Sequence, residues 1–141
     1  MMREIIMDHY SSPRHKCDPE EAGYLSLHSA SVNCIDDINV YLKLDDNDTV
    51  LDARWNGTAC AISTSSSDIL CELMIGKSKK DALYINEQFH KMIAEEPYDS
   101  SVLEEALAFM NTGKQAGRIH CATIGWDAVE ELLKEHHRHE R

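Results

Sequence analysis

The chain has 141 residues, 43% of them hydrophobic and 28% charged, an ordinary balance for one folded domain over residues 1–141 that excludes wholesale disorder. Fourteen basic residues stand against 25 acidic ones, a net charge of −11, which disfavours any general nucleic-acid partner because a phosphate backbone would be repelled. No apolar run approaches the length a bilayer crossing needs, so no membrane partner is expected either.

The first ten residues, MMREIIMDHY, carry early charges and no apolar h-region, so they do not read as a secretory signal and a cytoplasmic protein is expected. Residues 2–10 pattern as a short amphipathic helix with Ile5 and Ile6 inward, stopped by Ser11, Ser12 and Pro13. Residues 14–23 are polar and read as a loop. Tyr24, Leu25 and Leu27 form a short apolar run, and Ile38, Val40, Leu42 and Leu44 alternate with polar positions as a half-buried strand does. Asp45-Asp46-Asn47-Asp48 is a turn, and Val50 to Trp55 makes the next strand, so 38–55 is expected to be an antiparallel hairpin.

From residue 61 the period becomes helical. Ile62, Ile69, Leu70, Leu73 and Met74 share one face that ends at Gly76. Ser78 is placed to cap a helix carrying Ala82, Ile85, Phe89, Met92 and Ile93, with Pro97 closing that region. A third helix is expected from Ser100 or Ser101, with Leu103, Ala106, Leu107 and Met110 inward and Gly113 as its stop. The last is expected at roughly 121–135, after Gly117. Strands first and helices afterwards predict an α+β fold: a small antiparallel three-stranded sheet with helices packed on one face.

Five cysteines lie at 17, 34, 60, 71 and 121. An odd number at wide spacing suits thiol or metal chemistry better than a disulfide framework. Cys34, Cys60 and Cys121 fall at expected element ends, where a side chain is free to meet a ligand. A helix N-terminus also favours the thiolate form, which binds metals and attacks sulfur. Asp36 follows Cys34 by two residues, and in an extended segment both point the same way. Cys34, Asp36, Cys60 and Cys121 together would make a Cys3Asp set, suited to tetrahedral zinc or to an iron–sulfur cluster with one oxygen ligand. Three unrelated structural thiols are the alternative.

Four short motifs, in order, carry a resemblance. They are Ile6-Met7-Asp8-His9-Tyr10 with Pro13-Arg14; Cys34-Ile35-Asp36; Gly57-Thr58-Ala59-Cys60-Ala61-Ile62-Ser63; and Arg118-Ile119-His120-Cys121-Ala122-Thr123-Ile124-Gly125-Trp126. Over nearly its whole length the chain resembles the U-type iron–sulfur assembly family: IscU, SufU and the N-terminal part of NifU. The material near 95–117, with Arg118 and Trp126, looks like SufU, whereas His120 before Cys121 looks like IscU. The resemblance implies that Cys34, Asp36, Cys60 and Cys121 hold zinc, with His120 as an alternative ligand. It implies that a SufS-like cysteine desulfurase passes persulfide sulfur to Cys34, with Arg118 in support. On an IscU-like reading the same residues hold a transient [2Fe–2S] cluster, later handed to apo-protein acceptors. A more remote alternative is a Cys/His hydrolase built on Cys121. Adjacent His120 and Cys121 would point about 100° apart on a helix, which opposes a nucleophile–base pair.

The chain departs from the family pattern at Ile35, where the pattern has glycine, at Ser31-Val32, where it has Asn-Pro, and at Ala59, where it has a second glycine. All four expected ligands remain, so metal binding is expected to survive better than ligand exchange. Cys17 reads as exposed and incidental, Cys71 as a small buried group, Trp126 as core, and His136-His137-Arg138-His139 as a solvated helix end. The run Ser63 to Ser67 has no Walker pattern and reads as a device for close helix packing.

Overall fold

The computed structural model describes residues 2–17, 23–30, 36–110, 112–114 and 116–139, without the side chains of residues 2, 3, 113, 116–118 and 135–139. Cys34, Ile35 and the side chain of Arg118 therefore lie outside the described residues. The chain begins with helix α1 (Met2–Ser11) and continues into strands β1 (Leu25–Ala30), β2 (Asp37–Leu44) and β3 (Val50–Thr58). Helices α2 (Ala61–Met74) and α3 (Lys79–Ile93) follow, then three short 3-10 helices at Ser100–Val102, Glu104–Phe109 and Thr112–Lys114, and finally α4 (Ala116–His139).

The sheet is antiparallel throughout, in the order β1-β2-β3. Alternation on β2 works as the sequence predicts. Ile38, Val40 and Leu42 are fully buried under the helices, while Asn39, Tyr41 and Lys43 face outward. Between β2 and β3 the turn is closed by Asp45, whose carboxylate accepts from the N–H groups of Asn47 and Thr49. The pairing shifts beside it: Lys43 faces Asp52 but Leu44 faces Val50. Leu51 is the extra residue of a bulge, which leaves it 50% exposed and keeps both Val50 and Ala53 in the core.

Helix α2 runs through the middle of the molecule. Ser63 to Asp68 are all buried, as are Ile69, Leu70, Cys71, Leu73 and Met74. A polar helix face is tolerated there because the hydroxyls of Ser63, Thr64, Ser65 and Ser66 have partners, while that of Ser67 is buried without one among the described residues. Ser65 donates to the carbonyls of Ala61 and Ile6, and Ser66 donates to Ala122 while accepting from the Trp126 indole. Small side chains also let α4 come close. A Cβ on Gly125 would lie 2.7 Å from Ser67 Oγ. The serine run is thus a packing device, as its composition suggests. Beyond it, Trp126 stacks on Phe89 of α3 at 3.9 Å between centroids, with Phe109 edge-on to Phe89.

Two expectations change. The segment after Pro97 is not an α-helix but a series of 3-10 turns, interrupted by Glu104 at a φ of 46°. With three residues per turn, Leu103, Ala106 and Phe109 line up on the buried side, Ala108 is buried beside them, and Met110 turns outward. Helix α4 also begins earlier than Gly117 suggests, at Ala116. Glycine is a far weaker helix breaker than proline, so here it enters the first turn. Cys121 consequently sits in the second turn of α4, not at its start.

Candidate metal centre

The register of the sheet builds the site. Asp37 at the start of β2 pairs with Thr58 at the end of β3, so Asp36 is carried next to Ala59 and Cys60. The approach is tight: a Cβ on Gly57 would lie 2.2 Å from the Asp37 carbonyl oxygen, and its φ is 120°. Only glycine suits that position. Cys60 then caps the N-terminus of α2, with its sulfur accepting from the Ser63 N–H at 3.5 Å. Helix α4, packed against α2, brings in Cys121.

Asp36 is 1% exposed and is held from two sides. Its Oδ1 accepts from the Cys60 N–H at 2.9 Å, and its Oδ2 accepts from the Ser63 hydroxyl at 2.5 Å. The Cys60 sulfur stands 3.9 Å from Oδ2. Ser63 Oγ also lies 2.9 Å from the Cys121 carbonyl, so one hydroxyl links β2, α2 and α4. Neighbouring Asp37 is exposed and pairs with His28 on β1 instead. Of the two neighbouring carboxylates, that of Asp36 faces Cys60 and that of Asp37 faces His28.

The sulfurs of Cys60 and Cys121 and a carboxylate oxygen of Asp36 all lie within 4.8 Å of one another. Around a tetrahedral zinc, sulfur and oxygen donors stand about 3.5–3.8 Å apart, so contraction by about 1.3 Å at most would bring these atoms onto one ion. Asp36 is buried while both cysteines are half-buried, which leaves the sulfur side approachable. Soft thiolates with one carboxylate suit zinc or iron, and the residues present fit such a group. His120 is exposed beside Cys121. Cys17 is exposed, and Cys71 is 1% exposed, its thiol pushed up by burial. Trp126 is wholly buried. The positioning role of Ser63 was not foreseen, although it lies in the Cys60 motif three residues on, where a helix cap finds its partner.

The NifU-like N-terminal domain model matches this sequence over residues 1–141. The chain belongs to that family. Among its NifU-like relatives, the zinc-dependent sulfurtransferase SufU of Bacillus subtilis is 33% identical over 132 residues, covering 93% of this chain and 88% of SufU. The iron–sulfur cluster assembly scaffold protein IscU of Streptococcus pyogenes is 31% identical over 131 residues, covering 92% and 80%. The crystal structure of FiSufU from Fervidobacterium islandicum superposes with a TM-score of 0.84 at 26% identity, over 92% of this chain and 94% of that one. The NifU-like N-terminal protein of Brucella abortus has the same fold, with a TM-score of 0.84 at 19% identity over 98% and 99% of the two chains. The expected fold is therefore the observed one. Among the described residues, no helix is long and apolar enough to cross a membrane.

Proposed function

We propose that this NifU-like chain acts in iron–sulfur cluster assembly as a metal-bound acceptor of sulfur. The observation that carries the reading is the convergence of two sulfurs and one carboxylate oxygen from three elements. The name of the Bacillus subtilis relative supports zinc and sulfur transfer. Cys34, two residues before Asp36, completes a Cys3Asp set with Asp36, Cys60 and Cys121, and His120 is the alternative donor. Zinc, when bound, holds thiols as thiolates and brings no redox chemistry of its own.

The chain's own residues account for the rest. Ser63 and the Cys60 N–H fix the Asp36 carboxylate, so one ligand is oriented before any ion arrives. The Cys34 thiolate attacks the terminal sulfur of a persulfide on a SufS-like cysteine desulfurase. A new S–S bond forms on Cys34, the desulfurase S–S bond breaks, and the desulfurase cysteine leaves as a thiolate. Arg118, three residues before Cys121 in the sequence, supports the transfer with its positive charge. Residues 1–141 act as one domain, in the cytoplasm.

A second reading, a scaffold on which a [2Fe–2S] cluster is assembled and handed to apo-proteins, is favoured by the IscU relatives and by the same ligand set. One experiment separates the two. A cysteine desulfurase is assayed with the zinc-loaded chain and with its Cys34→Ser variant, beside anaerobic incubation with iron and sulfide. Sulfur acceptance predicts turnover that rises with the wild-type chain and not with the variant. A stable visible chromophore without stimulation would establish the scaffold instead, and neither result would overturn both.

A further inference from the structure

A second group of ligand atoms lies elsewhere, where α1, α2 and the 3-10 helix Glu104–Phe109 meet. We propose that His9, Glu72 and Glu105 form a separate site for a first-row divalent cation of the zinc or iron(II) class. Their ligand atoms lie within 4.8 Å of one another.

The buried imidazole points to the ligand. His9 is 0% exposed, and its Nδ1 lies 2.6 Å from Asp68 Oδ2. Asp68 is itself wholly buried, and its Oδ1 accepts from the His15 N–H at 2.7 Å. A carboxylate used as an acceptor on both oxygens fixes the proton on Nδ1. Such a carboxylate–histidine pair is the usual support of a metal-binding imidazole, because it sets the tautomer and turns the other nitrogen outward. Here Nε2 faces Glu105 Oε1 at 2.9 Å and Glu72 Oε2 at 4.0 Å. A ring lone pair cannot face carboxylate oxygens at these distances without positive charge between them. A proton or a metal ion supplies it.

The surroundings favour the ion. Glu72 and Glu105, from α2 and the 3-10 helix, bring two carboxylates to the same ring nitrogen of His9. Asp8, Asp68, Glu72 and Glu105 outnumber the one nearby guanidinium, that of Arg14. Its Nη1 lies 3.2 Å from both His9 ring nitrogens, while its Nη2 is tied to Asp8. The Glu72 and Glu105 side chains are each 44% exposed, so an ion enters from solvent and completes its shell with water. One nitrogen and two carboxylates suit borderline divalent ions and bind them less tightly than thiolates do. Cys60 caps α2 and Glu72 lies twelve residues on, about 18 Å along the axis. One ion cannot serve both sites.

The test removes the thiolates first. A Cys34→Ser, Cys60→Ser, Cys121→Ser chain is titrated with zinc(II) and cobalt(II), with and without Glu72→Gln and Glu105→Gln. The expected result is one equivalent bound, a cobalt spectrum free of thiolate charge transfer, and at least a tenfold loss of affinity in the glutamine variants. In the wild-type chain already carrying zinc, a second equivalent should bind and should disappear with the same two substitutions. Failure to bind a second equivalent there, or binding unchanged by the glutamines, as the histidine tail alone would give, overturns the proposal. His9 would then be a protonated clamp between helices.

Discussion

Ser63 decides how well Asp36 is held. It is the only hydroxyl shown to reach both the Asp36 carboxylate and the Cys121 carbonyl among the described residues. Ser63→Ala leaves the helix cap, which uses the Ser63 backbone N–H, but removes the hydroxyl that orients Asp36 Oδ2. The fold is expected to persist while zinc affinity falls about 10–100-fold, the usual effect of losing a group that orients a ligand. Competition with a chromophoric chelator measures this, and unchanged affinity would remove Ser63 from the site. The sequence disclosed residues of this kind unevenly. Cys60, Cys121 and Asp36 stood out because thiols and carboxylates at element ends have few bland uses. His9 did not, although it shares a face with Ile5 and Ile6, because a histidine on an apolar stripe is silent until its partners at 68 and 105 are known.

Between elements, the α2–α4 contact is the one that carries Cys121 to Cys60. It depends on two small residues, Gly125 and Ser67. Alanine in place of glycine inside a helix normally stabilises by about 1 kcal/mol. Here the added Cβ meets Ser67 Oγ, so Gly125→Ala is expected to destabilise by about 1 kcal/mol or more. Ser67→Ala removes that oxygen and should relieve the strain. A double-mutant cycle in urea should therefore show coupling of about 1 kcal/mol between the two positions, and additive effects would refute the close contact. Elements with strong periodicity, such as β2 and α3, were legible because alternation and 3.6-residue spacing leave a clear trace. The segment 100–110 was not, since the three-residue spacing of Leu103, Ala106 and Phe109 imitates an amphipathic helix over so short a run. The Leu51 bulge was equally hidden: it depends on pairing across the turn and not on local composition.

For the molecule as a whole, one titrating link joins α3 to α4. His90 Nε2 lies 2.6 Å from Asp127 Oδ1. The hydrogen bond to Asp127 holds the His90 pKa above its usual value, against the opposing effect of burial. A raised histidine pKa contributes stability that is fully present below the unfolded value near 6.5 and is lost as pH rises through the folded value. The pair is partly exposed, so the contribution is less than about 1 kcal/mol and shrinks with salt. Asp127→Asn should thus be less stable than the wild type at pH 5.5 and match it at pH 9. A difference that stays constant with pH would show that the pair does not act through charge.

The sheet register, the cap on α2 and the depth of Cys121 in α4 bring Asp36, Cys60 and Cys121 together, the arrangement on which the proposed cation site rests. Elemental analysis of the chain, purified without added metal and desalted against a mild chelator, tests it most directly. The account predicts about one zinc per chain, as a closed thiolate site retains it, and almost none in Cys60→Ser or Cys121→Ser. Metal content unaffected by either substitution, or a wild-type chain that takes up no zinc or iron even when offered them, would contradict it.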